Sequence, residues 1–365
     1  MFDCKWQIRR IYAITALSSL QFAGACWAAL LAARGFSLTQ IGLAETIFHL
    51  TSFLFEIPSG IIADVFGRRR SMIASQCMSA AASIAMLLSH SMDGVCIGMA
   101  LSALGYNFAT GAREALAFES LKQNRQEAAY EQFAVNDTTI WRVGSALATL
   151  CTGAALWMGP RAAYGVDLVL AFLGLWPALR LKEPKTVKPI TEDAARRICA
   201  AVRESFDFII HSPKILRLMF CNAGIGSVAT MLLYLLQARL PEIGLPTGWL
   251  GPVLFLLGLS SMLGLQLVRF AGRLRYRSLA LLCGGGILIG TYMASTSLLP
   301  AVLTGAFLAG ALDDILDVRS DVRLNEMVPS CQRATLVSVS SLVFSLVMLV
   351  VAPLLGALFS ILSSC

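Results

Sequence analysis

Apolar residues run along this chain in blocks of about 20, and polar residues gather in the short gaps between them. The blocks show no period-2 alternation, so they read as helices and not as strands. At about 1.5 Å per residue each is long enough to cross ~30 Å of hydrocarbon. Spans fall near residues 11–33, 38–63, 71–90, 93–117, 132–158 and 162–180, then 214–238, 248–270, 277–296, 298–318 and 333–351. Residues 182–213, opening LKEPKTVKPITED, are too polar and too rich in Pro to span. There Thr191 is placed to cap a helix whose Ile198, Val202, Phe206 and Ile209 share a face, with Arg196, Arg197 and Arg203 on another. That pattern predicts a helix lying at the headgroups, with a solvated linker helix as the alternative. From Arg333 to Cys365 the chain is too long for one straight span and too short for two, and Pro353 and Gly356 predict a break. The fold class is all-α and polytopic, with eleven full spans.

Composition agrees, because 57% of the 365 residues are hydrophobic and only 14% are charged, too few for a soluble surface. In lipid every backbone amide needs an internal partner, which again favours helices. The first apolar block continues through Leu31, longer than a signal-peptide core, and reads as the first span. The net charge of +7 does not imply nucleic acid. With the N-terminus and alternate loops in the cytoplasm, 24 of the 29 Lys and Arg lie inside and only Arg34, Arg161 and Arg239 outside, as the positive-inside rule requires. The ten cysteines are scattered singly with no C-x-x-C pair, so they read as small buried hydrophobes, with neither a metal site nor a disulfide framework.

The run Gly60-Ile-Ile-Ala-Asp64-Val-Phe-Gly67-Arg68-Arg69-Arg70 occupies the tight turn between the second and third spans. Gly60 removes a side chain where the second span is expected to pass close to a neighbour, and Asp64 offers a carboxylate to the positive N-terminus of a helix. The run resembles the G-x-x-x-D-x-x-G-R-[KR]-[KR] signature of the major facilitator superfamily. AETIFHLTSFLFEIPSGIIADVFGRRRSM, the GAREAL and ESL segment, and NEMVPSCQRATLVS extend the resemblance over nearly the whole chain, and look like bacterial facilitators of the drug-exporter-like type. The fifth span departs from the exporter pattern, since WRVGSALATLCTGAALW has Gly144 and Gly153 but no G-P-x-x-G-G run.

The resemblance implies an N-terminal six-helix bundle (1–181), a cytoplasmic linker (182–213) and a C-terminal bundle (214–365) whose last helix is missing or reduced. It also implies that Asp64 faces the start of the eleventh span, at Arg333-Ala334-Thr335, and helps lock a cytoplasmic gate. Topology offers Glu114 and Glu119, at the cytoplasmic end of the fourth span, as partners for Arg68, Arg69 and Arg70. The alternative is that these arginines only hold anionic lipid and fix orientation.

Charges at mid-depth are the next candidates, because one at a helix centre costs at least ~2.5–3.5 kcal/mol unless it meets water or a partner. Arg142 lies about ten residues into the fifth span, ~15 Å deep. Glu45 and His49 stand one turn apart on the second span and share a face. A cavity lined by Glu45, His49 and Arg142 would hold a titratable acid, a pH-sensitive base and a fixed cation. The structural alternatives put Glu45 at the outer interface, His49 against a neighbouring helix, and Arg142 in a pair with Asp137. Asp313, Asp317 and Asp321 form an i+4 stripe on the tenth span; Asp313 is either part of a cytoplasmic gate network or a proton site.

These readings point to a non-enzymatic secondary transporter in a prokaryotic plasma membrane, with its N-terminus cytoplasmic. It acts on a small-molecule substrate with protons and the lipid bilayer as its other partners, as a monomer, without nucleic acid and without a cofactor. No G-x-x-x-x-G-K-[ST] occurs. Proton-coupled export is the first reading. Import of a small polar or anionic solute is the second, and a non-transporting receptor or scaffold on a degraded facilitator fold is the third. The cation asymmetry predicts that Cys365 lies outside, so an impermeant thiol reagent should label it in intact cells; labelling only from the cytoplasm would mean that the spans are miscounted.

Overall fold

The computed structural model describes residues 3–184, 207, 211–271, 274–328 and 333–364. The proposed headgroup helix of the linker and Cys365 lie outside them. Every regular element among the described residues is helical. In order these are α1 (Cys4–Ser19), α2 (Phe22–Ala25), α3 (Trp27–Ala33), α4 (Leu38–Phe66), α5 (Arg68–Leu88), α6 (Met92–Ala109), α7 (Ala112–Gln123), a 3-10 turn (Glu127–Ala129), α8 (Tyr130–Leu150), α9 (Thr152–Met158) and α10 (Pro160–Leu179). They continue as α11 (Pro213–Glu242), α12 (Thr247–Ala271), α13 (Tyr276–Ala294), α14 (Leu299–Met327) and α15 (Arg333–Ser364).

The helix starts follow local chemistry. Asp3 accepts the Trp6 amide at the head of α1 at 3.2 Å. Ser37 and Gln40 form a reciprocal capping box at α4, the Ser37 amide donating to Gln40 Oε1 (2.9 Å) and the Gln40 amide to Ser37 Oγ (3.3 Å). Pro160 and Pro213 open α10 and α11, where a missing N–H costs nothing. Among the described residues eight helical stretches are long and apolar enough to cross a membrane. The three other expected spans are the first, interrupted between α1 and α3; the fifth, divided at Cys151 between α8 and α9; and α12.

The chain divides into two compact units, one of Met1–Trp27 with Leu54–Ala195 and one of Ala28–Phe53 with Arg196–Cys365. In the first, α5 packs against α6 and α10, and α1 against α8 and α10. Its core joins Ile11, Ile14, Met72, Leu116, Phe133 and Leu181. In the second, α14 packs against α12 and α13, and α11 against α15. There Ile215, Met219, Leu324, Val339 and Val343 form one cluster, and Leu279, Cys283, Ile315 and Leu316 another. Large apolar side chains also point outward, Trp157 and Leu281 among them, as expected where the solvent is lipid.

Two expectations are corrected. The break at Pro353 and Gly356 is absent: α15 runs through both as one helix of 32 residues. Proline is tolerated within apolar helices when neighbouring groups satisfy the freed carbonyl, and Gly356 serves contact instead, since a Cβ there would come 2.7 Å from the Leu38 carbonyl oxygen. The close approach expected at Gly60 is also not there, because Gly60 is exposed and a Cβ would meet no atom within 4 Å. On α4 that role belongs to Gly42, whose added Cβ would collide with the Ala352 carbonyl oxygen of α15. Gly42→Ala should therefore destabilise the protein by about 1–3 kcal/mol, whereas Gly60→Ala should be neutral or stabilising by up to ~1 kcal/mol. Melting temperatures of the two purified variants check this; equal losses would refute it.

Candidate functional site

The signature turn is held by side chains from four helix ends of the first unit. Gly67 has φ +99°, a backbone that L side chains rarely adopt, and a Cβ there would stand 3.0 Å from Glu183 Oε2. Beyond it the α5 N-terminus is capped from a distance, with the Arg68 amide donating to Glu183 Oε1 and the Arg69 amide to Glu183 Oε2, both at 2.9 Å. A carboxylate at a helix N-terminus meets both free amides and the positive end of the dipole. Arg68 pairs with Asp64 one turn earlier (3.6 Å) and with Glu119 of α7, and also donates to the Ala115 carbonyl at 3.3 Å. Arg69 reaches the Leu179 carbonyl at 2.9 Å, while Arg70 is exposed. Glu114 is exposed on α7, and it is Glu119 that takes Arg68. Arg333 opens α15, and its side chain lies outside the described set.

Deeper in the first unit, Asp137 of α8 is buried and accepts from Thr15 Oγ1 of α1 at 2.6 Å. Its other oxygen lies 3.3 Å from Arg113 Nε of α7. The pairing of Asp137 with Arg142 considered from sequence is thus replaced by Arg113. Five residues along a helix put two side chains about 140° apart, so Asp137 turns inward and Arg142 outward. Arg113 is aimed by the Thr110–Gly111 turn that divides the fourth span, with Gly111 at φ +73°. Another buried carboxylate, Asp167 of α10, accepts the Phe22 amide (2.6 Å) and the Gly24 amide (2.9 Å), groups released where the first span is interrupted.

In the second unit Glu45 and His49 are both buried, 4% and 8% exposed. His49 Nε2 lies 3.3 Å from Glu45 Oε1, and Nδ1 lies 3.2 Å from Ser345 Oγ of α15, so both ring nitrogens are engaged. The ring stands edge-on to Phe344, with centroids 5.6 Å apart. Phe344 flanks Gly226 of α11: a Cβ on Gly226 would lie 3.7 Å from Phe344 Cε2 and 3.4 Å from Asp313 Oδ1 of α14. Glu45 and His49 thus form one pair with His49 against Phe344, and Phe344 and Asp313 both border Gly226. Further along α14, Asp317 accepts from Asn222 at 2.9 Å, and Arg323 lies over the Tyr276 ring at 5.5 Å. Among the described residues no ion pair joins Asp313 to an arginine.

Residues 11–312 match the family profile described as Major Facilitator Superfamily. The chain belongs to this superfamily. The facilitator is also 26% identical over 216 residues to the inner membrane transport protein YajR of Escherichia coli (strain K12), an alignment covering 59% of this chain and 45% of that protein. It thus spans less than half the length of that relative. Among solved structures it is similar to the nucleoside transporter NupG, with TM-score 0.72 at 12% identity, covering 96% of this chain and 91% of that one. A bacterial homolog of the human lysosomal transporter Spinster gives TM-score 0.71 at 19% identity, covering 95% of this chain and 81% of that one. The D-xylose-proton symporter gives 0.64 at 11%, covering 98% and 97%. At these identities the structures carry the fold alone.

Sequence alone does not single out Glu183, Arg113, Asp137 or Asp167 as site residues. Glu183 hides in a polar linker, and its role depends on a partner more than a hundred positions away. The other three carry a signal, being charges inside or beside apolar blocks. Arg113→Ala should leave Asp137 buried and unpaired, costing about 3 kcal/mol. Adding Asp137→Ala should recover most of that loss, whereas Arg142→Ala alone should leave the melting temperature unchanged. Thermal unfolding of the purified variants reads all three; recovery by the Arg142 and Asp137 pair instead would return Asp137 to Arg142.

Proposed function

We propose that this facilitator is a secondary active transporter of a bacterial inner membrane, moving a small solute by alternating access and coupled to protons, with export as the direction. The observation that carries the reading is the buried Glu45–His49 pair beside Phe344, with Asp313 bordering Gly226 in the same unit, on helices otherwise apolar enough to span. Ionisable side chains at such depth are expensive and mark ion or substrate paths. Imidazole is the side chain best suited to exchanging protons under physiological conditions, and here it lies between a carboxylate and a hydroxyl. One structural neighbour is a D-xylose-proton symporter, so the fold accommodates proton coupling. Export rests on the resemblance of the signature segments to drug-exporter-like facilitators.

Arg142 completes the reading. It is exposed on α8 at a position whose depth forbids a bare guanidinium in lipid, so the proposal assigns it to the water-filled path as counter-charge to an anionic or hydrogen-bonding solute. The cytoplasmic gate is assigned to Gly60, Asp64, Gly67, Arg68, Arg69, Arg70, Glu114, Glu119 and Arg333, with the Arg68 pairs as its described part.

A screen of solutes by thermal shift, followed by flux into liposomes under an imposed pH gradient, tests the proposal. Glu45→Gln should cut gradient-driven flux at least about tenfold while sparing exchange of solute for solute, because exchange needs no net proton movement. Flux indifferent to the gradient would remove proton coupling. Accumulation with the proton flow would reverse the direction to import. Binding without flux would favour a receptor on a facilitator fold.

A further inference from the structure

A second site is built into the first unit at the ends of α1, α5 and α10, and it shares Arg69 with the residues assigned to the gate. Arg10 of α1, Arg69 of α5, and Arg180 and Lys182 after α10 line a cavity of about 520 Å³ with Leu179, Leu181 and Glu183. Four cations face one carboxylate, and both oxygens of that carboxylate already accept the Arg68 and Arg69 amides. Three of the cations are held in place by their side chains. Arg10 donates to the Arg180 carbonyl and lies over the Trp6 ring, Arg69 donates to the Leu179 carbonyl, and Arg180 lies over the Trp176 ring at 4.1 Å. Gln7 fixes the backbone at Lys182 from both sides, donating to its carbonyl at 2.8 Å and accepting its amide at 3.1 Å. Within this cluster the buried Nε atoms of Arg10 and Arg69 have no hydrogen-bond partner among the described residues.

Such a cluster is complementary to an anion with several acceptor oxygens, and a phosphate fits it best. Its surroundings identify the source. Val169, Phe172, Leu173, Trp176 and Leu179 are exposed at helical spacing along α10, giving an apolar track that ends at the cavity. Trp6 and Trp176, both exposed, stand beside it, and tryptophan marks the depth of the headgroups. We propose that this cavity binds the phosphate of an anionic phospholipid, with an acyl chain lying along the exposed stripe of α10. Arg10 and Arg69 supply directional donors to the phosphate, and Arg180 and Lys182 supply charge at the rim. The topology read from the cations puts the site in the cytoplasmic leaflet.

The test uses the full chain purified in detergent. Phosphatidylglycerol, phosphatidylcholine and inorganic phosphate are titrated separately, bound lipid is counted by native mass spectrometry, and stability is followed by thermal shift. The decisive variant is Arg180→Gln with Lys182→Gln, which removes two cations but keeps the backbone groups that Arg10 and Gln7 use. Lys122→Gln, an exposed cation on α7, is the control for general charge. Phosphatidylglycerol should bind wild type more tightly than phosphatidylcholine. The double variant should lose about tenfold or more in that affinity, and the control should keep it. Equal retention by the double variant, or equal loss in the control, would overturn the site. Saturation by inorganic phosphate at the same concentrations, without preference for the lipid, would overturn the lipid as its occupant. The lipid count is independent of stability, so a variant that melts early still reports on binding.

Discussion

Hydrocarbon offers a polar atom no partner, and the interior of each unit follows from that constraint. Asp137 takes a hydroxyl and a guanidinium, Asp167 takes two backbone amides, and Glu45 takes His49. The first span can be interrupted at Gln21 only because Asp167 answers the amides that the interruption frees. The fourth span can turn at Gly111 and bring Arg113 inward because Asp137 is waiting on α8. Where no polar group needs an answer, glycine and alanine bring backbones together, as Gly42 does against Ala352. Irregular backbone and buried charge are therefore matched pairs, each tolerated on account of the other.

The fold is legible in the sequence because the lipid requirement acts on single residues in chain order. A block of about 20 apolar positions means a helix whatever its neighbours are, and the signature turn shows its glycine and its arginines directly. Glu45, His49 and Asp313 stand out as misplaced polarity, and the structure adds that Glu45 meets His49, which stands against Phe344. Partner choice is less accessible. Asp137 lies near Arg142 in sequence but opposite it on the helix, and the arginine it meets arrives from α7 through a turn that hydropathy does not show. Gly60 and Gly42 look alike in a sequence, and only the packing of the second unit shows that Gly42 meets the Ala352 backbone. The break expected at Pro353 follows from proline's general effect on helices, whereas in a long apolar helix neighbouring groups can satisfy the freed carbonyl and α15 keeps its course.

Electrostatics divides the first unit into layers. Single, paired charges lie among the helices, and an excess of arginine collects at the ends of α1, α5 and α10. Arg68 belongs to the first kind, with two carboxylates on its guanidinium. Arg10 and Arg180 belong to the second, resting on tryptophans with no ion-paired carboxylate among the described residues. The same residue type thus serves as an internal tie in one place and as an anion receptor a short distance away, depending on which neighbours compensate it.

The cap that Glu183 places on α5 also sets an order of events during synthesis. It closes over a separation of 115 residues. At roughly 5–20 residues per second, the ribosome delivers Glu183 about 6–23 s after Arg68. Until then the two leading amides of α5 lack this partner, and the turn at Gly67 is held from its own side of the chain alone. The signature loop is therefore among the last parts of the first unit to be finished, although it is among the first to be translated.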